Sequence, residues 1–476
     1  MSESFYWHDY ETWGSDTRRD RPCQFAGLRT DYDFNPIGKP LVVFCRPASD
    51  LLPQPDACLL TSITPSIAQR KGIPEAEFAS LIHLELSRPN TCGVGYNSMR
   101  FDDEITRNLF YRNFIDPYAR ERLNGNSRWD LIDVLRLAHA LRPEGILWPK
   151  DKDSDTSFRL DLLTAANEID HGHAHDALAD VNATIAIARL LKKAQPRLFA
   201  FALQLRAKKV VEELLSRGRP LLHVSARYPA RLGCIAPVWP VAHHPVQANG
   251  VICYDLRQNP ESLLELSADE VHERLFTRDL SSRGERIPLK TLHVNRSPML
   301  APMATLTLEA AEKWDIDPVL IYHHAAILAE APELSIKVRE AHQLGGWPSE
   351  NDPDLMIYSG GFFADSDRRL IARVRQSSPH ALANTSFPFQ DSRLKTMLFR
   401  YRARNWPETL TDEEREDWDA WRFERLTDPN AGGSITLDSY YERIAALKLE
   451  HKDCSNYNEL LNDLEAWAEL VMDASP

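Results

Sequence analysis

The stretch FYWHDYETWG, residues 5–14, sets two acids two positions apart inside an aromatic run. A short aromatic-rich segment of this kind reads as a buried strand. Along a strand, residues i and i+2 share a face, so Asp9 and Glu11 point together. Side by side, two carboxylates repel, and each is costly to keep charged away from water. A cation between them removes both penalties, and a pair of hard oxygen ligands suits Mg²⁺ or Mn²⁺. The plainer reading of an isolated D-x-E is a strand end in water, and only the rest of the chain decides between the two.

Working outward, QFAGLRTD (24–31), LVVFCRP (41–47) and TCGVGYN (91–97) also read as strands. Helices are expected at 103–113 and 131–140, which makes the first part of the chain an α/β layer. In DALADVNATIAIARLLKK (176–193), Leu178, Val181, Ile185, Ala188 and Leu191 fall at helical spacing, with lysines at the C-terminal end where the helix dipole favours them. Pro196 then marks a boundary. From there to residue 350 the chain changes to short β-like runs, LLHVSARY, CIAPVWPVA, GVICYDL and LKTLHVN, interrupted by one capped helix from Ser267 to Phe276. A small barrel with helical insertions is expected. Beyond the turn-rich GGWPSENDPD (345–354) the pattern is helical, with Thr411 and Glu414 spaced as a capping box. Domains are accordingly expected at 1–195, 196–350 and 351–476.

The totals narrow the class. A chain of 476 residues with 43% hydrophobic content can bury several cores. Its seven cysteines are scattered without a C-x-x-C, which argues against a disulfide framework and against a zinc site and favours a reducing compartment. No leader and no long apolar run is read, so a cytoplasmic protein with no membrane association is expected. The net charge of −13 excludes a uniformly basic nucleic-acid coat. That charge is uneven: from Glu408 onward 18 acids face 6 basic residues, whereas Arg197, Arg206, Lys208, Lys209, Arg217, Arg219, Arg227 and Arg231 face only Glu212 and Glu213.

Two further motifs supply acids. YNSMRFDDE (96–104) places Asp102 and Asp103 after a glycine-flanked strand and at a helix start. HGHAHDALAD (171–180) offers His175 and Asp180. Five steps along a helix turn about 500°, so His175 is expected in the loop, with Asp176 opening the helix and Asp180 one turn inside it. His171 and His173 are a weak zinc pattern, two apart and without cysteine. Together Asp9, Glu11, Asp102, Asp180 and His175 make the inventory for two-metal hydrolysis of a phosphodiester, with His175 able to accept a water proton near neutral pH.

These five positions resemble the DEDD exonuclease superfamily in its histidine subclass. HDYETWG, RPCQFAGLRTD, GYNSMRFDDEITRNLFYRNFIDPY, SRWDLIDVLRLAHALRPEGI, AHDALADVNATIA, GGFFADSDRR and LFRYRARNWPETL resemble the bacterial exonuclease I family in order and spacing across nearly the whole chain. The resemblance implies an α/β ribonuclease-H-like exonuclease domain, an SH3-like β-barrel and an all-α C-terminal domain. It further implies processive 3′-to-5′ degradation of single-stranded DNA to 5′-mononucleotides with two Mg²⁺ ions, for which Mn²⁺ can substitute, in DNA repair and recombination. By the same carry-over Asp9, Glu11, Asp102 and Asp180 match metal ligands and His175 the general base. Glu11, Thr12 and Asn97 resemble positions around the terminal nucleotide, and Arg159 a phosphate ligand. Arg107, Tyr118 and Arg136 resemble positions along the strand path, whereas Trp129 and Phe158 read as core. Arg142 resembles a residue that docks the acidic tail of single-stranded DNA-binding protein, and a monomer is expected. YSGGFF (358–363) departs from the family pattern, which tends to carry Asn before Gly-Phe-Phe. An RNA-trimming relative and a non-catalytic single-strand-binding scaffold are the alternatives.

Overall fold

The computed structural model describes residues 3–172, 176–277, 285–346 and 350–473. The chain divides into two compact units: one comprises Met1–Ser127, Gly172–Asn182 and Ser349–Pro476, the other Arg128–His171 and Ala183–Pro348.

In the first unit, β1 (Ser4–Thr12) is central, and it is buried at every position except the half-buried Asp9. It pairs antiparallel with β2 (Pro22–Thr30), which pairs antiparallel with β3 (Leu41–Phe44), while β4 (Thr91–Gly95) runs parallel to β1 on its other side. The order β3-β2-β1-β4 thus puts the D-x-E strand in the middle of the sheet. Alternation gives β1 two different faces. Phe5 and Trp7 pack with Phe34 on one, and the Trp7 indole donates to Thr30 Oγ1 at 2.9 Å. Tyr6 and Tyr10 pack on the other with Phe25, Phe78, Ile82 and Leu109, beneath α1 (Glu75–Leu86) and α2 (Asp102–Arg112). After α2 come the short α3 (Ala119–Arg122) and then β5 (Ser127–Asp130), at which the chain passes into the second unit. Helix α4 (Ala177–Ala194) begins in the first unit.

The C-terminal residues of this unit form α5 (Ser392–Asn405), α6 (Asp412–Thr427), α7 (Leu437–Glu450) and α8 (Ser455–Asp473). The Thr411–Glu414 capping box is present and starts α6. These helices share their core with the N-terminal segment: Trp13, Leu51, Leu52 and Cys58 lie in one cluster with Leu426, Tyr440, Leu461 and Trp467, and Tyr111 and Phe114 in another with Leu394, Met397 and Tyr401. At about 1.5–3 kcal/mol per buried large apolar side chain, these clusters hold the two stretches together.

The second unit carries an antiparallel sheet of order β10-β6-β7-β8-β9, built from β6 (Leu221–Val224), β7 (Ile235–His243), β8 (Gly250–Asp255), β9 (Leu289–His293) and β10 (Met299–Pro302). The bulge between Pro240 and Ala242 in β7 accommodates a residue that cannot donate to the ladder. Four of these strands follow the β-like runs read from sequence. The fifth, β10, lies in a proline-flanked SPMLAP segment that gives no strand signal. The expectation of a single interrupting helix is corrected. Pro196–Gln204, Lys208–Leu215, Leu308–Lys313, Pro318–Ala329 and Leu334–Gln343 are helical as well; Pro196, read as a boundary, and Pro318 each occupy the first helical turn, where the missing N–H has no cost. The Ser267 capping box is present. All seven cysteines are free thiols, and among the described residues no helix is long and apolar enough to cross a membrane.

Candidate active site

Asp9 and Glu11 share the β1 face opposite Tyr10, and Asp180 approaches them from the first turn of α4. One carboxylate oxygen from each of Asp9, Glu11 and Asp180 lies within 4.8 Å of the others, the one such metal-competent group among the described residues. Asp102 opens α2, is 2% exposed, and accepts a hydrogen bond from Tyr10 N at 3.1 Å on Oδ1. Its charge reaches the same cluster: burial, then Asp102, Glu11 and Asp180, push the Asp9 carboxyl well above the ordinary range. Glu11 is pushed up to about 9 by burial, then by Asp180, Asp102 and Asp176. Asp176 caps α4, its Oδ1 accepting from Ala179 N at 3.1 Å, just ahead of Asp180.

Convergent hard oxygens that cannot all ionise together are a donor set for a divalent cation, which favours the charged forms that burial and mutual repulsion disfavour. The residues present therefore fit a divalent cation. His175 and His173 lie outside the described residues. His171, in the second unit, sits 3.1 Å from Thr164 Oγ1 through Nδ1.

The other residues singled out from sequence take varied positions. Thr12 is buried at the bulge that ends the β1–β2 ladder, and its hydroxyl donates to Gly14 O at 2.6 Å. Asn97 is exposed after β4 with φ of 62°, a left-handed conformation that asparagine tolerates. Arg107 is buried, donating to both Glu121 oxygens at 2.7 and 2.8 Å and to Glu104 at 2.8 Å, with its guanidinium 5.4 Å from the Tyr118 ring centre. In the second unit, Arg136 pairs with Asp133 at 2.6 Å and lies over Phe158, Arg142 donates to Thr305 O at 3.1 Å, and Arg159 is exposed and pairs with Asp161 at 2.7 Å. Trp129 and Phe158 are core, at 0% and 9% exposure. Sequence reading missed the partners behind the acids: Arg120 donates to Asp103 Oδ1 at 2.6 Å beneath β1, and only the acidic doublet at 102–103 hinted that a second carboxylate needed a cation.

A ribonuclease-H-like sheet with acids converging from its central strand and from two helix starts defines a metal-dependent exonuclease. Three family models match along the chain: residues 6–188 match the exonuclease family model, 206–344 the exonuclease I SH3-like domain and 351–471 the exonuclease I C-terminal domain. Exodeoxyribonuclease I of Escherichia coli (strain K12) is 43% identical over 480 residues, covering 99% of each chain. The chain belongs to the exonuclease I family. A crystal structure of E. coli exonuclease I in complex with a dA16 oligonucleotide matches at TM-score 0.92 and 43% identity, over 99% of this chain and 100% of that one. A crystal structure of SSB/exonuclease I in complex with the inhibitor CFAM matches at TM-score 0.91 and 42% identity over the same shares.

Proposed function

We propose that this exodeoxyribonuclease removes 5′-mononucleotides processively from the 3′ end of single-stranded DNA, using two divalent cations, Mg²⁺ with Mn²⁺ as substitute. The observation that carries the reading is the convergence of Asp9, Glu11 and Asp180 within 4.8 Å on the central strand and the α4 start, with Asp102 in electrostatic contact. Asp9, Glu11, Asp102 and Asp180 would hold the cations. When bound, such ions supply Lewis acidity, making a water acidic enough to attack at neutral pH and offsetting charge on the phosphoryl oxygens.

The chain's own residues do the rest. His175 takes the proton from the attacking water, since an imidazole titrates near neutral pH. Glu11, Thr12 and Asn97 border the terminal nucleotide, and Arg159 grips its phosphate bidentately, which a planar guanidinium does well. Arg107, Tyr118 and Arg136 follow the strand, and an aromatic face such as that of Tyr118 stacks bases without reading their sequence. Arg142 receives the acidic tail of single-stranded DNA-binding protein. The working form is a cytoplasmic monomer with domains at 1–195, 196–350 and 351–476.

The test uses single-stranded DNA labelled at either end, with Mg²⁺ and then with a chelator. Early release of the 3′ label as mononucleotide, only with metal, is the expected result. An intact strand under both conditions supports a scaffold instead, and faster loss of RNA than of DNA supports an RNA-trimming enzyme.

A further inference from the structure

The start of α2 carries Asp102 into the acid cluster, yet nothing in the usual capping repertoire holds it there. The N-cap position is Phe101, which has no side-chain acceptor, with φ of −120° and ψ of −76°. What holds the first turn is a mix of local and tertiary contacts. Asp103 N donates to Ser98 O at 2.8 Å, and the Thr106 hydroxyl donates to Asp102 O at 2.7 Å. The two consecutive carboxylates then diverge: Asp102 accepts from Tyr10 N on β1, and Asp103 accepts from Arg120 at 2.6 Å.

Arg120 comes from α3, whose start is capped by Asp116 Oδ1 accepting from Tyr118 N and Ala119 N at 2.8 and 3.0 Å. Its side chain is 1% exposed. It crosses β4 at Gly93, where an added Cβ would stand 3.3 Å from Arg120 Nη1. The next residue, Glu121, binds Arg107 with both oxygens, one turn along α2 from Asp103. Two adjacent α3 residues of opposite charge thus grip two α2 residues of opposite charge at i and i+4. His8 Nε2 lies 4.0 Å from Asp103, against 2.6 Å for Arg120, so the guanidinium is the nearer partner of that carboxylate.

A buried ion pair is a poor source of stability, because desolvation offsets most of its attraction. Its merit here is direction. We infer that Asp103 and Arg120 are positioning residues for Asp102: the α3 staple fixes the first turn of α2 so that Asp102 meets the cation at the Asp9–Glu11–Asp180 cluster. The inference rests on the metal-binding reading of that cluster.

The experiment measures Mn²⁺ uptake by the full-length protein without DNA, by the loss of the free-ion paramagnetic resonance signal. Thermal midpoints and single-stranded DNA affinity in chelator are measured alongside. Outer partners of metal ligands typically alter metal affinity by about 10–100-fold, so Asp103→Asn and Arg120→Met are expected to weaken Mn²⁺ uptake at least about tenfold, with DNA affinity in chelator unchanged. Arg120→Lys, which keeps the charge, is expected to recover part of the loss. The double variant Asp103→Leu/Arg120→Met replaces the pair by apolar groups, and it is expected to keep the wild-type midpoint while still binding Mn²⁺ weakly. Wild-type Mn²⁺ affinity in that folded double variant would overturn the positioning role. If the wild type takes up no more Mn²⁺ than Asp9→Ala does, the metal reading of the acid cluster fails first and takes the inference with it.

Discussion

At residue scale, Asp9 and Glu11 illustrate a function that works against stability. Burial and mutual repulsion push both carboxyls upward, Glu11 to about 9, so without a cation the fold holds acids in a place that disfavours their charge. Removing one of them should relieve that penalty. Asp9→Asn is expected to raise the thermal midpoint in chelator, by an amount corresponding to about 0.5–2 kcal/mol, while cleavage with Mg²⁺ falls below detection. A lowered midpoint in chelator would mean that the acids are not in conflict. Asp180→Ala should likewise abolish cleavage and retain single-stranded DNA binding. For His175→Ala, loss of a general base is worth about 10²–10⁴-fold, so single-turnover cleavage should slow by that factor with Mn²⁺ uptake intact. Equal single-turnover rates for the variant and the wild type would remove His175 from the mechanism. The acids of β1 were legible because strand alternation is a local rule. Arg120 was not, because its partner stands 17 residues away and the pairing exists only once α3 folds over Gly93.

At the scale of elements, the contrast between α6 and α5 shows which features the sequence reveals. The α6 cap is written in four consecutive residues, and Thr411→Ala should cost about 1 kcal/mol in chemical unfolding; no change would mean that the α6 start is held by packing alone. Arg400 and Arg404 of α5, in contrast, are neutralised by acids far away in sequence. Arg404 meets Asp50 at 2.9 Å and Asp354 at 2.6 Å, Arg400 meets Asp352 and Asp354, and Arg21 closes the network on Asp50 at 2.5 Å. Burial would raise Asp50 and Asp354, but Arg21, Arg404 and Arg400 outweigh it and hold both carboxyls well below the usual range. The sign follows from linkage. Depressed folded-state values contribute stability that is fully present above the unfolded carboxylate value of about 4 and is lost as pH falls toward the folded values. Thermal midpoints should therefore drop steeply below about pH 4. Arg404→Met leaves two buried acids short of a cation, which should cost about 3–5 kcal/mol near neutrality and flatten the acid limb. An unchanged acid limb in that variant would show that other carboxylates govern acid unfolding.

At the scale of the whole molecule, three family domains and two compact units describe the same chain differently, and cores explain why. The sequence pattern changes character near residues 196 and 350, which is why domain boundaries are expected there. Which stretches share an interior cannot be read from such a pattern, because it depends on contacts such as Trp13 and Leu52 with Tyr440 and Leu461, hundreds of residues apart. In the first unit the C-terminal helices share core clusters with the N-terminal segment, whereas β6–β10 and their helices lie within the second unit. A chain ending at residue 350 should therefore fail unevenly. Trp13, Leu51, Leu52, Tyr111 and Phe114 would lose partners, at about 1.5–3 kcal/mol each, and that sum rivals the roughly 5–15 kcal/mol by which a typical protein is folded. Hydrogen exchange read by mass spectrometry should find β1–β4 unprotected in the fragment and β6–β10 protected nearly as in the intact chain. Metal-dependent cleavage should vanish with the protection of β1, since Asp9 and Glu11 then have no fixed face to share. Full protection of β1–β4 in the fragment would show instead that the exonuclease sheet has a sufficient core of its own, and that the C-terminal helices cover it without being needed to fold it.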